Sequence, residues 1–232
     1  MTGPGPATEQ RRALLAELAA AVPHPDRTQA VLVGVDGRDG AGKTVLADEL
    51  AAVLSGRGRV VVRVSLDGFH RPRRERYRRG RDSAECFFLD SYDLAAFRRE
   101  VVQPFTAPDT ARHISRRVVH DVGTDRPVEA RAEPVPASAV PVVDGLFLHR
   151  DELALLWDYS ALLEAEVAET YRRMASRDGS PADPGHERNR RYVLGQELYA
   201  TRCYPQTRAD VVVDSTDLDR PVLVPQSRAI SP

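Results

Sequence analysis

Lysine is nearly missing from this 232-residue chain: of 33 basic residues, 32 are arginine and one, Lys43, is lysine. So large an excess reads as a compositional habit rather than as separate demands at each site, and it makes the exception informative. Cysteine is scarce as well. Cys86 and Cys203 cannot form a disulfide framework and show no metal-ligand spacing, so they imply no structural zinc and point to reduced thiols in a cytoplasmic protein. No run approaches the roughly 20 apolar residues of a membrane helix. The opening MTGPGPATEQRR lacks the basic start, apolar centre and small-residue cleavage site of a secretory signal. Charge of one sign is lacking too, since a net charge of −1 gives no global argument for nucleic acid. No internal repeat is present. What remains, 42% hydrophobic and 29% charged residues, is an ordinary globular composition, and the length suits one compact domain over 1–232.

Along the chain, apolar residues at helical spacing predict a leading helix within 1–28, stopped by Pro23 and Pro25. Residues 30–36 form a short β-branched run suited to a buried strand, 44–54 a helix and 60–65 a second strand, which together make a βαβ unit. Leu94, Phe97 and Val101 share one face of a helix predicted over 92–102. Residues 114–121 and 127–131 flank GTDR and predict a β-hairpin within an insert at about 112–133. Further strands are expected at 140–143, from Tyr159, and at 209–214, with helices over 168–176 and 190–200. Residues 178–185, DGSPADPG, are rich in turn formers and read as a mobile loop, and the tail from Gln226 as loose.

The sequence GRDGAGKT at 37–44 fits the phosphate-binding pattern G-x-x-x-x-G-K-S/T in full, between a predicted strand and a predicted helix. Glycines let successive backbone N–H groups turn inward on phosphates, and the helix N-terminus adds partial positive charge. Gly37, Asp39, Gly40, Ala41, Gly42, Lys43, Thr44 and Val45 are the candidate ATP-binding residues. Lys43 would reach the β- and γ-phosphates, and the Thr44 hydroxyl would ligate Mg²⁺. That the only lysine falls here argues against a glycine turn that binds nothing, because a rigid arginine fork does not replace it. The loop alone does not separate kinases from other nucleotide hydrolases. The guanine-reading N-K-x-D of most GTPases needs a second lysine, however, and none exists.

Ligands gather beyond the carboxyl ends of parallel strands, so Asp67 and Asp144, just past two predicted strands, are the first carboxylates to weigh. A phosphoryl acceptor needs a base for its hydroxyl proton, and Mg²⁺ needs hard oxygen ligands. Asp67 fits the base and Asp144 the metal; an aspartate that merely caps the next turn is the plain alternative for either.

From SLDGFH at 65–70 the chain resembles the uridine kinase family, in the wider group with phosphoribulokinase and bacterial pantothenate kinase. The likeness extends with gaps over 30–215. Its parts are the phosphate loop, the D-D/G/S-F-Y/H pattern at 67–70, FLDSYD at 88–93, VHDVGTD at 119–125, DG at 144–145, Arg173 with Arg177 and Asp178 in a lid pattern R-x-x-x-R-D, and the segment 204–213. The resemblance implies a P-loop NTPase-type three-layer α/β/α fold with about five parallel strands, a hairpin insert over the acceptor and an arginine lid at about 171–191. It also implies that ATP and Mg²⁺ serve the phosphorylation of a small-molecule hydroxyl, the 5′-hydroxyl of a pyrimidine nucleoside first among the candidates. Asp67 would be the catalytic base. Asp90 would grip ribose hydroxyls, and His120 and Asp121 would lie over the nucleoside. Phe69 and His70 adjoin the base on the substrate side, with simple packing the alternative for His70. Arg173 and Arg177 would close over the phosphates. Asp144 stands where the family has Glu, one methylene shorter, which implies contact with the metal through a water. His120 and Asp125 also depart from the family's Tyr and His. The family often forms homo-oligomers. Pantothenate, a sugar or nicotinamide riboside remain alternative acceptors, and a slow ATPase that switches a partner is the rival of another class.

Seven arginines fall within residues 71–81. A solvated helix and loop is the plain reading of this run, with attraction of an anionic acceptor as the alternative and nucleic acid behind both.

Overall fold

The computed structural model describes residues 8–25, 30–106, 115–134, 136 and 138–225. In chain order the strands are Val33–Gly37 (β1), Val60–Ser65 (β2), His120–Asp121 (β3), Arg126–Pro127 (β4), Ala139–Asp144 (β5), Tyr159–Glu164 (β6), Val211–Asp214 (β7) and Val222–Val224 (β8). Five run parallel in the order β2, β5, β1, β6, β7, and β8 adds an antiparallel edge to β7. The apolar runs predict the five parallel strands. Only β8 is new, a three-residue run behind Pro221 that gives too short a pattern to read.

Burial along the strands follows their place in the sheet. Every position of β1 and β5 is buried, as expected of strands covered on both faces. The edge strand β2 instead alternates, burying Val62 and Val64.

The helices are Glu9–Ala21 (α1), Lys43–Gly56 (α2), Arg73–Arg76 (α3), Ala84–Asp90 (α4), Leu94–Phe97 (α5), Gln103–Thr106 (α6), Val167–Asp178 (α7), Arg190–Cys203 (α8) and Pro205–Arg208 (α9). Alternate strand residues feed two cores, which makes three layers. Val33, Val35, Val140 and Val142 pack against Leu18 of α1 and Leu46, Leu50 and Leu54 of α2. Val62, Val64 and Val143 pack on the other side with Phe69, Phe97, Phe105 and Phe147. Leu50 is fully buried; truncating such a leucine to alanine costs about 2–5 kcal/mol and would loosen the helix that carries Lys43.

Local signals explain where the elements differ from expectation. The helix predicted over 92–102 begins at Leu94 because Asp93 caps it, accepting from the Ala96 amide at 2.9 Å. It continues through a π-helical turn, Arg98–Val102, into α6. Tyr92 is thereby released from the helix and bridges to His70. Ser83 similarly starts α4 by accepting from the Cys86 amide.

The hairpin is shorter than its sequence pattern. It pairs only His120 with Pro127 and Asp121 with Arg126; the Val128 N–H still donates to the Val119 carbonyl at 2.9 Å, but the Val119 N–H turns to the Gly68 carbonyl and the ladder ends, and an isolated bridge joins Ser115 to Glu133. Ile114, the start of the leading segment and the tail from Gln226 lie outside the described residues. Among those residues no helix is long and apolar enough to cross a membrane. Cys86 and Cys203 are buried and free.

Candidate active site

β1 runs into α2 through a turn with positive φ at Gly37 (148°), Gly40 (76°) and Gly42 (94°). A Cβ on Gly40 would stand 2.4 Å from the Thr170 carbonyl oxygen, so only glycine lets the loop pass beneath α7. Gly42 is the N-cap of α2 and offers its first amides no side chain, whereas Thr8 and Ser83 cap α1 and α4. The uncapped amides and the dipole of α2 are therefore left for an anion. Lys43 folds over the loop, donating from Nζ to the Arg38 carbonyl at 2.9 Å. The buried Ala41 is held through its carbonyl, which accepts from Ser215 Oγ at 2.9 Å. Val45 sits exposed on the first turn.

The Thr44 hydroxyl donates to Asp144 Oδ2 at 2.7 Å. Asp144, the last residue of β5, is almost fully buried. Its other oxygen accepts from Arg63 Nη2 at 3.0 Å. Arg63 was not legible as a site residue. It also donates to Asp48 at 2.8 Å and to the carbonyl of Val142 at 2.7 Å, which fixes the carboxylate in the sheet. An adjoining hydroxyl and carboxylate suit Mg²⁺, which takes one or two protein oxygens and fills its remaining positions with water and phosphate. Among the described residues no group of three or more His, Cys, Asp or Glu could hold a metal by itself.

Asp67 lies in the 3₁₀ turn Leu66–Phe69 directly after β2, with Ser65 as the cap, and its side chain is exposed. Tyr92, 1% exposed, donates to Asp67 Oδ1 at 2.9 Å. Burial, then the charges of Asp67 and Asp39, push the Tyr92 phenol well above its ordinary value, so it stays a donor. His70 donates from Nδ1 to the Asp67 carbonyl at 2.7 Å, and its ring packs on Tyr92 with centroids 4.6 Å apart. Burial lowers the His70 pKa against the pull of Asp67, which favours the neutral ring. Phe69 is different. It is fully buried and meets Phe97 edge-on, so it positions the turn and gives the site no side-chain surface.

The charges of loop, base and lid bear on one another. Burial raises the Asp39 pKa; Lys43 opposes this, Asp67 adds to it, and Arg177 and His70 also lower it. Arg177 itself pairs with Asp178 at 2.9 Å in solvent. Arg173 is tied down: it bonds Glu169 at 2.8 Å, the Gly40 carbonyl at 3.2 Å, the Ser215 carbonyl at 3.0 Å and the Thr216 carbonyl at 2.5 Å. In this arrangement it braces the phosphate loop against the end of β7.

The acceptor-side candidates are more varied. Asp90 is 5% exposed, and both its oxygens are taken by the Arg78 fork at 2.9 and 2.6 Å. Asp121 is exposed, and the Thr124 amide at 2.7 Å is the main cause of its lowered pKa. His120 is 5% exposed, and both ring nitrogens are buried without a hydrogen bond; Nε2 lies 3.5 Å from Asp125. The hairpin docks on the base turn through Val119 N–H to the Gly68 carbonyl at 2.8 Å.

A buried network escaped the sequence reading. Asp36 on β1 accepts from the Gly37 amide at 2.7 Å, His149 Nδ1 at 2.8 Å and the Tyr199 hydroxyl of α8. It links the first residue of the loop to the helix beyond the lid. The partners are far apart in sequence, and no local motif marks them. A cavity of about 390 Å³ under α7 and α8 touches Gly37 and Arg38, but Lys43, Thr44, Asp67 and Asp144 do not line it.

No protein-family model and no curated protein sequence matches the chain. Solved structures do. A possible uridine kinase from Bacillus stearothermophilus superposes with a TM-score of 0.67 at 21% identity, over 87% of this chain and 97% of that one. A candidate fructose transport system kinase from Silicibacter sp. TM1040 gives 0.61 at 24% identity, over 86% and 94%. A D-glycerate 3-kinase from Cryptococcus neoformans gives 0.55 at 12% identity, over 88% and 93%. At these identities the likeness establishes the fold, a P-loop α/β architecture shared by kinases named for different acceptors.

Proposed function

We propose that this chain transfers the γ-phosphoryl group of ATP to a hydroxyl of a small molecule. The observation that carries the reading is the exposed Asp67 carboxylate, held by Tyr92 and electrostatically coupled to Asp39 of the phosphate loop. A pure nucleotide switch has no use for a braced, solvent-facing base at that place.

The amides of 38–44 would hold the triphosphate, with Lys43 swinging from the Arg38 carbonyl to its β/γ end. Thr44 and Asp144 would hold Mg²⁺, which supplies charge compensation for the phosphate oxygens. Asp67 Oδ1 is engaged by Tyr92, so Oδ2 is the oxygen that takes the acceptor's proton. The acceptor oxygen bonds to the γ-phosphorus as the bond to the bridging oxygen breaks, and ADP leaves. Arg177, whose charge already bears on Asp39, would leave Asp178 to offset charge at the transferring phosphate.

A pyrimidine nucleoside is the first acceptor to test. A second reading, an acceptor that is not a nucleoside, is favoured by Asp90: the carboxylate expected to grip ribose is already forked by Arg78.

The test is acceptor-dependent ADP release by the purified chain, with uridine, cytidine, pantothenate and sugars as acceptors. Asp67→Asn is expected to lose about 10²- to 10⁴-fold in kcat while ATP binding persists. Full turnover by that variant would sink the mechanism, and ATP hydrolysis that no acceptor stimulates would favour the switch.

A further inference from the structure

Most arginines of the 71–81 segment have carboxylate partners. Arg71 and Arg74 pair with Glu75, Arg76 with Asp125, Arg78 with Asp90, and Arg79 with Glu85 and Asp90. Five of the seven arginines are thus neutralised within the fold, and among the described residues Arg73 and Arg81 form no ion pair. Among the described residues Arg81, Arg188 and Arg191 form no ion pair, and all three line one cavity of about 340 Å³ together with Tyr77, Asp82 and Tyr192.

Arg191 is the anchor. It is 7% exposed, donates from Nη1 to the Arg81 carbonyl at 2.8 Å, and leaves a buried Nε without an acceptor. Its guanidinium lies 4.6 Å from the Tyr77 ring centroid and 5.3 Å from that of Tyr192. The aromatic faces attract the cation but accept none of its in-plane N–H groups. A buried guanidinium without a carboxylate is costly, and this chain has 34 acidic residues from which a partner could have come. The cavity is walled on one side by the segment that follows Asp67 and on the other by the lid. Tyr77 on its wall stands between Arg76, which pairs with Asp125 of the hairpin, and Arg78, which forks Asp90, so the cavity adjoins the acceptor-side residues.

We propose that this cavity is an oxyanion subsite for the far end of the acceptor, which therefore carries a phosphate or carboxylate group. The inference rests on the kinase reading and narrows it to anionic acceptors. Three guanidinium groups against the Asp82 carboxylate leave an excess of two positive charges. That suits a phosphomonoester dianion better than a carboxylate, because the second phosphate pKa lies near 6. The acceptor then spans two fixed points, its hydroxyl at Asp67 and its anion at Arg81, Arg188 and Arg191. Such a geometry selects for molecular length as well as charge.

The test compares matched acceptors on the full chain with ATP and Mg²⁺: ribose against ribose 5-phosphate, and glycerol against glycerate, with uridine as the neutral nucleoside. The anionic member of a pair is expected to show at least a tenfold higher kcat/KM. Arg81→Gln with Arg188→Gln, both at exposed positions, is expected to raise KM for that member about tenfold or more. The kcat of the double variant and its KM for ATP should hold. Arg191→Gln should do the same if it folds. Inorganic phosphate should compete with the acceptor and bind calorimetrically to wild type but not to the double variant. A preference for glycerate over both sugars would keep the subsite and overturn its assignment to phosphate. Efficient use of uridine, unchanged in the double variant and unaffected by phosphate, would overturn the subsite and leave the kinase reading standing. Phosphate binding lost in the double variant, with no acceptor stimulating ADP release, would keep the subsite and sink the kinase.

Discussion

The Tyr92 hydroxyl donates to Asp67 Oδ1 across 2.9 Å, from a residue buried in the core to one exposed at the site. The bond leaves the base a single free oxygen and fixes its rotamer. Hydrogen bonds to charged groups contribute about 1.5–3 kcal/mol, so Tyr92→Phe is expected to lower kcat about 10- to 100-fold. ATP affinity should not move, because Tyr92 touches no loop residue through a hydrogen bond. Steady-state kinetics with calorimetric ATP binding separates the two effects. An unchanged kcat would mean that the phenol only fills space.

Gly40 makes a different kind of prediction, one about shape. Its φ of 76° and the Thr170 carbonyl 2.4 Å from where a Cβ would stand leave no room for alanine. A left-handed L-residue costs about 1–2 kcal/mol before any clash is counted. Gly40→Ala should weaken ATP binding at least tenfold as the loop shifts away from α7, with the circular dichroism of the fold retained. Wild-type ATP affinity in this variant would show that the loop adapts freely.

The phosphate loop was legible because its demands are local: glycines at the positions of positive φ, one lysine, a strand before and a helix after. The parallel strands were legible from runs of valine. What the sequence hid is non-local. Tyr92 reads as the first residue of a helix until Asp93 is seen to cap it, and only the bridge to His70 brings its hydroxyl to Asp67. Arg63 falls inside a predicted strand with no local mark of a role, and its grip on Asp144 spans 81 residues. Asp36 and Tyr199 are 163 residues apart. Asp90 shows the converse. The resemblance marks it as a ribose contact, yet Arg78, twelve residues before it, already occupies both oxygens.

Thr44 and Asp144 form the oxygen pair that would meet the metal, 2.7 Å apart. Thr44→Val keeps the shape of the side chain and removes the hydroxyl, leaving Asp144 Oδ2 against a methyl group. Half-saturation of ADP release by Mg²⁺ is expected to move at least tenfold higher, and stability to fall by about 1–3 kcal/mol because the buried Asp144 oxygen loses its donor. A Mg²⁺ titration at saturating ATP reads this directly. An unshifted midpoint would remove Thr44 from the metal site.

Asp36 gives the pH prediction. It is fully buried; burial is the largest influence and pushes its pKa up, but bonds from His149, Tyr199 and the Gly37 amide, together with the His149 charge, hold it below the ordinary value. A carboxylate with a depressed folded pKa contributes stability above its unfolded value of about 4, and that stability is lost as pH falls through the folded value. The wild type should therefore lose this contribution only below about pH 4. Asp36→Asn cannot accept at both oxygens, so it leaves either the Gly37 amide or a His149 N–H without a partner. Its stability at pH 7 is expected to fall by about 1–3 kcal/mol, the cost of leaving a buried donor without its acceptor. Below pH 4 its stability should decline less steeply than that of the wild type, because the titrating group is gone. Urea unfolding from pH 7 down to pH 3 measures both quantities. Parallel declines in the two proteins would show that Asp36 does not carry the acid sensitivity. Since Gly37 begins the phosphate loop, ATP affinity should fall with the same substitution, which would tie the buried network to nucleotide binding.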